Sequence, residues 1–334
     1  MKKEFVIQTQ NLTKAYGPHV ALEKLNVQVA HGATGLLGQN GAGKSTFLKT
    51  ILGLIQITEG DGTVLGYDVR TEGEKIRSHV GYMPEYDALN PGMDGIHQVK
   101  YTGELLGMNP VVAMQRAHET LQFVGIGEQR YREIESYSTG MKQATKLACA
   151  IIHDPNLVIA DEPSNGLDAN SREFMINTLR LMVDEGNRSV LMASHLMEDV
   201  ERVCENILLL HKGKLAAQGK IEDLKAIDKE IEIHVWGKAT QLEQRLKDDG
   251  FKVRREGRIM RITQEGDEMT SAILRAAADV GSQIRRMHEY EASLEDLFVA
   301  IMESLGYSVK SSDDLLGQPV AARRVDAPEE LQQG

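Results

Sequence analysis

The sequence has few cysteines and no long apolar run. Its two cysteines, Cys149 and Cys204, lie far apart and do not form the closely spaced pairs of a metal site. We therefore expect two buried thiols in a reducing compartment rather than a disulfide framework. No run of about 18 apolar residues occurs, so we expect no helix that spans a bilayer.

A secretory signal and an excess of basic residues are also missing. Residues 1–4 include charged side chains but no apolar segment follows them, so we expect no secretion. The formal net charge is −11, whereas a large nucleic-acid-binding surface requires a basic face. We therefore expect no nucleic-acid partner. With 334 residues, 41% of them apolar, the chain can form one large globular domain and a smaller one.

A glycine-rich loop at residues 38–46 is the most informative segment. Its pattern, G-x-x-x-x-G-K-[ST], is typical of loops that bind nucleotide phosphates, because glycines let consecutive N–H groups point into one concavity. Lys44 can reach the β- and γ-phosphates, and the Ser45 hydroxyl can bind Mg²⁺. We predict a strand ending at Leu37 and a helix over Ser45–Leu52, whose N-terminus favours anions. This order disfavours a chance match.

Two apolar segments further along the chain end in polar residues. Residues 157–160 precede Asp161 and Glu162, as in a buried strand of a parallel sheet, whose C-terminal end is where α/β folds bind ligands. Asp161 could hold Mg²⁺ through water, and Glu162 could polarise an attacking water. Residues 189–194 repeat the pattern and lead to His195, which by position alone is either structural or catalytic.

The remaining segments predict the framework of the domain. Alternating residues predict strands at 4–10 and 24–30. Between them Tyr16 is predicted in a loop, where it either stacks on a base or is a half-buried surface residue. We further predict turns at 59–66, a short strand at 80–85 stopped by Pro84, helices at 97–106, 111–124, 128–134 and 143–152, and a hairpin around Lys212-Gly213. Residues 136–143, before the last helix, are either a second anion site or a simple cap.

In this order, these segments resemble the ATP-binding-cassette (ABC) family of ATPases over about residues 4–225. Residues 38–46 resemble its Walker A motif, residues 137–143 its signature motif, and residues 157–162 its Walker B motif with the catalytic glutamate. Residues 165–168 resemble the D-loop, His195 the switch histidine, and Tyr16 the adenine-stacking aromatic residue. The guanine-reading Asn-Lys-x-Asp motif is absent from the sequence, so we do not expect a GTPase.

The resemblance implies an α/β fold: a P-loop NTPase cassette with a parallel-sheet core, an antiparallel N-terminal β subdomain and a helical insertion at about residues 96–155. We predict that the nucleotide-binding domain spans residues 1–225, an accessory domain 226–308 and a flexible tail 309–334. The accessory domain shows a β-α-β-β-α-β order, which predicts a small ferredoxin-like fold. Its last helix is predicted from Ser293, with Asp296 completing a capping box, and resembles the C-terminal appendix of exporter-type subunits. We expect a regulatory or dimer-stabilising role for it.

The resemblance also implies ATP and Mg²⁺ as cofactors and assigns roles to individual residues. The catalytic candidates are Lys44, Glu162 and His195, and the metal-binding candidates are Ser45, Glu85 and Asp161. The nucleotide-binding candidates are Tyr16, Gly38, Asn40, Gly41, Ala42, Gly43, Lys44, Ser45, Thr46, Glu85, Ser138, Gly140 and Asp168. Two departures from the family pattern stand out. Glu85 replaces the usual glutamine and would bind Mg²⁺ more strongly, and the signature has Thr139 and Met141 where glycine and glutamine are commonest.

The function implied by the resemblance is an ATP hydrolase that works as a head-to-tail dimer. The second cassette would be another copy or a paralogue, and both would drive a separate membrane permease, with export favoured, from the cytoplasmic face of the cell membrane. The docking surface is expected near residues 85–95 and the helical insertion. Two alternatives remain: a non-transporting ATPase that acts mechanically on a membrane partner, and a soluble member that acts on ribosomes or DNA. The latter usually has tandem cassettes or long coiled coils, and neither is evident here.

Overall fold

The computed structural model describes residues 5–185, 188–225, 230–263, 269–290 and 293–304. Its strands are β1 (Phe5–Tyr16), β2 (His19–Leu25), β3 (Gln28–Ala30), β4 (Ala33–Leu37), β5 (Glu59–Val64), β6 (Tyr67–Asp68), β7 (Val80–Met83), β8 (Leu157–Asp161), β9 (Ser189–Ala193), β10 (Asn206–His211), β11 (Lys214–Lys220), β12 (Glu230–Trp236), β13 (Lys252–Glu256), β14 (Ile259–Thr263) and β15 (Gln283–Tyr290). Its α-helices are α1 (Lys44–Ile51), α2 (Gly73–His79), α3 (Gly95–Leu105), α4 (Pro110–Phe123), α5 (Thr139–Ile151), α6 (Ala169–Asp184), α7 (Met197–Val203), α8 (Ile221–Lys225), α9 (Ala239–Asp248), α10 (Met269–Val280) and α11 (Leu294–Ser304).

A six-stranded sheet, in the order β11-β10-β4-β9-β8-β7, forms the centre of the molecule. Its five strands from β10 to β7 are parallel to their neighbours, and only β11 is antiparallel. Every residue of β4, β8 and β9 is buried, as expected for a sheet covered on both faces. Because these strands run in one direction, the segments that follow β4, β7, β8 and β9 meet at one edge of the sheet.

An antiparallel sheet of β1, β2, β3, β5 and β6 lies at the N-terminal side, and it corrects three sequence predictions. Tyr16 belongs to β1 rather than to a loop. Residues 59–64 form β5 rather than turns, because backbone pairing with β1 supplies the order that their glycines do not. The predicted strand at 24–30 is broken at Asn26, whose amide oxygen accepts a hydrogen bond from the Asn11 N–H and whose amide nitrogen donates to the Lys24 carbonyl.

The helical region between β7 and β8 is mostly as predicted, with two differences. Residues 128–134 do not form one helix: two short 3₁₀ turns occupy Glu128–Tyr131 and Ile134–Ser136. Helix α5 begins at Thr139, four residues before the predicted start, because the Ser138 hydroxyl caps it by accepting a hydrogen bond from the Met141 N–H at 3.3 Å. Within the described residues, no helix is long and apolar enough to cross a membrane.

The C-terminal part folds around a four-stranded antiparallel sheet in the order β13-β14-β12-β15, which is the ferredoxin-like arrangement. Helices α9 and α10 cover it, and its apolar cluster draws only on residues 231–277 among the buried side chains. Helix α11 begins with the predicted capping box, since the Ser293 N–H donates to Asp296 Oδ2 and the Asp296 N–H donates to Ser293 Oγ. The predicted flexible tail, 309–334, lies outside the described residues.

Neither cysteine forms a disulfide. Cys204 is buried as expected, whereas Cys149 on α5 is only partly buried. Burial raises the pKa of the Cys149 thiol to about 11, with hydrogen bonds to Thr102 and Gln98 acting in the opposite direction. Both side chains pack with the large apolar cluster of the nucleotide-binding part, which indicates that they contribute to packing rather than to chemistry.

Candidate nucleotide site

A cavity of about 760 Å³ opens at the edge of the central sheet where the parallel strands end. Ten of the predicted site residues line it: Asn40, Gly41, Gly43, Lys44, Ser45, Thr46, Glu85, Asp161, Glu162 and His195. They come from the segments after β4, β7, β8 and β9, so the order of strands in the sheet brings together residues that are far apart in sequence.

The phosphate loop connects β4 to α1 in a conformation that only glycine adopts easily. Gly43 has φ 105°, and an added Cβ would lie 2.8 Å from Leu22 Cδ2. The Lys44 ammonium lies inside the loop and donates to the Gly38 carbonyl at 2.6 Å. Burial lowers the pKa of Lys44, and the nearby carboxylates of Glu162, Asp161 and Glu85 oppose this effect. The loop that would bind the phosphates of a nucleotide therefore also holds the Lys44 side chain.

Three carboxylates, those of Glu85, Asp161 and Glu162, line the same cavity as the Ser45 hydroxyl. Burial, followed by repulsion from Glu162 and Glu85, raises the pKa of Asp161 to about 6. The described residues contain no set of three His, Cys, Asp or Glu side chains that could hold a metal ion by themselves. The set fits Mg²⁺, which is usually bound by one or two carboxylates together with water and nucleotide phosphates. Ser45, Asp161 and Glu85 would be the protein ligands.

Glu162 and His195 form a short polar contact in the cavity. Glu162 Oε2 lies 2.7 Å from His195 Nδ1, and the carboxylate also accepts the His195 N–H at 3.4 Å. Glu162 has φ 50°, a left-handed conformation that is rare for a non-glycine residue, and its N–H donates to the Ala193 carbonyl. Backbone strain of this kind concentrates at functional sites, because the surroundings must hold it in place.

The signature segment lies away from this cavity. Ser138 and Gly140 line a separate groove of about 280 Å³, together with Ser171 and Phe174 of α6. Asp168 caps α6, where its carboxylate accepts the Ser171 N–H at 2.9 Å and this bond lowers its pKa. One chain therefore does not bring its own signature serine to its own phosphate loop.

The other predicted residues also lie outside the cavity lining. Tyr16 is 49% exposed, and the Lys14 ammonium lies 4.7 Å from its ring centroid. Its partner across the hairpin, His19, does line the cavity. Gly38 and Ala42 hold the loop in place through their backbone carbonyls. The Gly38 carbonyl accepts a hydrogen bond from the Lys44 ammonium, and the Ala42 carbonyl accepts one from the Gly213 N–H.

Sequence reasoning missed one buried lysine and several lining residues. The additional lining residues are His19, Val20, Ala21, Gln39, Asn165, Lys212 and Gly213. Lys146 of α5 is buried, and its ammonium donates to the carbonyls of Pro84, Glu85 and Tyr86 at 2.8, 2.9 and 3.3 Å. A buried charged side chain requires partners. The signal in the sequence was a lysine directly before the apolar residues 147–151 of α5.

The fold and the site together define a class of protein. A phosphate loop, carboxylates at the end of the adjacent strand and a histidine at the end of the next one surround a cavity in a parallel α/β sheet. These are the parts that bind a nucleoside triphosphate and stabilise the transferring phosphoryl group. The protein is a phosphate-loop nucleotide hydrolase.

Comparison with known proteins narrows this class. Residues 22–165 match the ABC transporter family. The linearmycin resistance ATP-binding protein LnrL of Bacillus subtilis is 35% identical over 220 residues, which are 66% of this chain and 70% of LnrL. The bacitracin transport ATP-binding protein BcrA of Enterococcus faecalis is 33% identical over 303 residues, which are 89% of this chain and 96% of BcrA. A solved dimeric ATP-binding cassette with bound ADP and phosphate has a TM-score of 0.60 at 23% identity. The match covers 64% of this chain and 98% of that cassette.

The chain belongs to the ABC transporter family, as an ATP-binding and ATP-hydrolysing subunit. The predicted cassette fold is confirmed, and so is the predicted ATPase class. Because the match to BcrA extends over residues beyond the nucleotide-binding part, the C-terminal region is also shared with at least one transporter subunit.

Proposed function

We propose that two such cassettes hydrolyse Mg²⁺-ATP at composite sites between them and thereby drive a separate export permease. The separation of the signature groove from the phosphate-loop cavity is the observation that carries this proposal. In a head-to-tail pair, Ser138 and Gly140 of one chain would close the cavity of the other. ATP would then favour the closed pair and hydrolysis would release it, since a ligand shifts an equilibrium only by binding the two states differently.

Each cavity residue has a role in this proposal. Lys44 and the N–H groups of the loop would bind the β- and γ-phosphates, and Mg²⁺, when bound, would neutralise phosphate charge. Glu162 would orient or deprotonate the attacking water. An imidazole can bond a carboxylate through one ring nitrogen and a phosphate through the other, so His195 would contact Glu162 through Nδ1 and the γ-phosphate through Nε2. Tyr16 would stack on the adenine, and Asp168 would lie at the interface of the pair.

The proposed permease partner and the location rest on the relatives and on one surface. Relatives are described as resistance, export or transport ATP-binding proteins, and this supports export by an assembly at the inner face of the cell membrane. Helices α3 and α4 expose apolar side chains that include Leu105 (68% exposed) and Val111 (78% exposed). Exposed apolar side chains are typical of interaction sites when they cluster, and these belong to the predicted helical insertion.

The test is recovery of the partner together with substrate transport. We expect the tagged chain to bring down a polytopic membrane protein in stoichiometric amounts from detergent-solubilised membranes, and vesicles with that pair to move substrate when ATP is added. The double variant Leu105→Ser/Val111→Ser should lose the partner but keep basal hydrolysis. Leu274→Ser, an exposed apolar residue of α10, is the matched control and should keep both. Recovery with ribosomes or DNA instead would contradict the proposal.

A further inference from the structure

Phe298 of helix α11 and the predicted switch histidine, His195, line the same small gap. Phe298 is 3% exposed and faces a gap of about 10 Å³, which it shares with Gln39 of the phosphate loop and with Ser194, His195 and Met197. A gap of this volume is near the minimum for a single water molecule, so the aromatic ring is closely packed against the segment that carries the histidine.

The helix is anchored in the nucleotide-binding part, although the accessory sheet precedes it in sequence. Leu294, Leu297 and Met302 are buried in the same apolar cluster as residues of α7. The Leu294 N–H donates to Glu201 Oε1 of α7 at 3.2 Å, and Glu201 also pairs with Lys225 of α8. The last described helix therefore completes the core that supports the switch histidine.

The first turn of the same helix is bonded to the accessory sheet. The Asp296 carboxylate accepts the Tyr290 hydroxyl of β15 at 2.7 Å and Arg261 Nη1 of β14 at 3.5 Å. Arg261 in turn donates through Nε to Glu232 of β12, a carboxylate that is buried. Only Leu297 lies between Asp296 and Phe298 in the chain, so one turn of helix connects the accessory sheet to the gap beside His195.

We propose that Phe298 is a positioning residue for His195, and that α11 transmits the position of the accessory sheet to the rate of ATP hydrolysis. This rests on the proposed role of His195 in hydrolysis. Truncating a packed aromatic ring removes contacts on one side of its neighbours, which then relax toward the space. A displacement of about 1 Å of a catalytic group can cost as much as 100-fold in rate. Gln39 of the phosphate loop lines the same gap, but its carbonyl accepts the Ala42 N–H at 3.0 Å, and the Ala42 carbonyl accepts the Gly213 N–H at 2.9 Å. Since these backbone bonds hold the loop, we expect a much smaller effect on nucleotide affinity.

The test compares two buried residues of one helix. In the full-length chain, Phe298→Ala should lower kcat about tenfold, while the Kd of a fluorescent ATP analogue changes less than about twofold, and Phe298→Leu should recover most of the loss. Met302→Ala is the matched control, since Met302 is 1% exposed in the same cluster but does not line the gap. It should lower the thermal midpoint without lowering kcat. Equal losses of kcat in both alanine variants would overturn the inference, because packing alone would explain them.

A double-mutant cycle separates this inference from the proposal on which it rests. In the His195→Ala background, measured by single-turnover hydrolysis, Phe298→Ala should have no further effect. A full additional tenfold loss would show that Phe298 acts elsewhere and would overturn the inference. Wild-type hydrolysis by His195→Ala alone would instead refute the proposed role of the histidine. Tyr290→Phe removes the hydroxyl that is bonded to Asp296 and should lower kcat about two- to threefold, because α11 then loses one of its bonds to the accessory sheet. An unchanged kcat would refute the link between the accessory sheet and His195.

Discussion

The phosphate-loop side and the signature side of this cassette are built differently. The first is a charged cavity of about 760 Å³ that is lined by a buried lysine, three carboxylates and a histidine, and in it Glu162 lies 2.7 Å from His195. The second is a groove of about 280 Å³ at the start of α5, where the Ser138 hydroxyl is used only as a helix cap. The difference teaches that the groups proposed for chemistry lie together within one chain, whereas in the proposed dimer a second chain would supply the groups that complete nucleotide binding.

One helix joins these two sides. Helix α5 begins at the signature segment, and two turns later its Lys146 holds the carbonyls of residues 84–86, next to the candidate metal ligand Glu85. A movement of the signature segment on dimer closure would therefore reach the metal side of the cavity through a single rigid element. Four predictions address the two sides and this connection.

The largest effect is expected on the phosphate-loop side. Glu162→Gln should lower hydrolysis about 1000-fold, because removal of a general base typically costs 100- to 10,000-fold, while ATP binding is retained. Single-turnover phosphate release and equilibrium binding of ATP are the measurements. Glu198→Gln, a largely exposed carboxylate of α7, is the control and should hydrolyse ATP normally. Hydrolysis by Glu162→Gln within a few-fold of wild type would assign the chemistry to another residue.

Asp161 should make the nucleotide-free chain less stable as pH rises. Its pKa of about 6 in the fold exceeds the ordinary value near 3.8, so its stabilising contribution is fully present below about pH 4 and is lost as pH rises through 6. The loss is at most about 3 kcal/mol. Thermal unfolding from pH 4 to 7 should show the stability of wild type falling relative to Asp161→Asn. Parallel profiles for the two chains would show that the carboxyl is not desolvated as the structure indicates.

Substitution of Lys146 should remove the link between α5 and residues 84–86. Lys146→Met should lower the free energy of unfolding by about 2 kcal/mol, because the carbonyls of residues 84–86 lose their charged donor. It should also raise the Mg²⁺ concentration needed for half-maximal hydrolysis, since the segment that holds Glu85 is released. The control is Lys142→Met, one turn earlier on the same helix, whose ammonium makes only a 3.7 Å pair with Asp87. Similar effects in both variants would contradict a specific role for Lys146.

A substitution on the signature side should lower the rate of hydrolysis by a smaller factor. Gly140→Ala should lower hydrolysis about tenfold, because its Cβ would lie 2.6 Å from Ser171 Oγ and displace the groove by a fraction of an ångström. ATP binding by the single chain should not change, as Gly140 does not line the cavity. Gly127→Ala, which meets nothing within 4 Å, is the control. A loss of ATP affinity in Gly140→Ala would place the signature segment within its own chain's site.

The parts of this molecule that were predictable from sequence are those with strong local patterns. The glycines of residues 38–46 and the apolar strand before Asp161 identified the cavity, and alternation identified the accessory strands. The strand β5 was missed because its sequence, EGDGTV, has little apolar alternation and is ordered by pairing with β1. Lys146 and Phe298 were missed as site residues because only tertiary packing brings them to their partners. The carbonyls that Lys146 binds are at least 60 residues earlier in the chain, and the segment of His195 is about 100 residues before Phe298.

The most direct test of the composite site is the mass of the ATP-bound chain. Glu162→Gln, measured by light scattering with Mg²⁺-ATP, should have twice the 37.0 kDa mass of one chain and return to the monomer when ATP is removed. Adding Gly140→Ala to this variant should weaken the dimer while ATP remains bound. A chain that stays monomeric with ATP bound, and still hydrolyses it at full rate when Glu162 is restored, would contradict the account, because one chain would then hold a complete site.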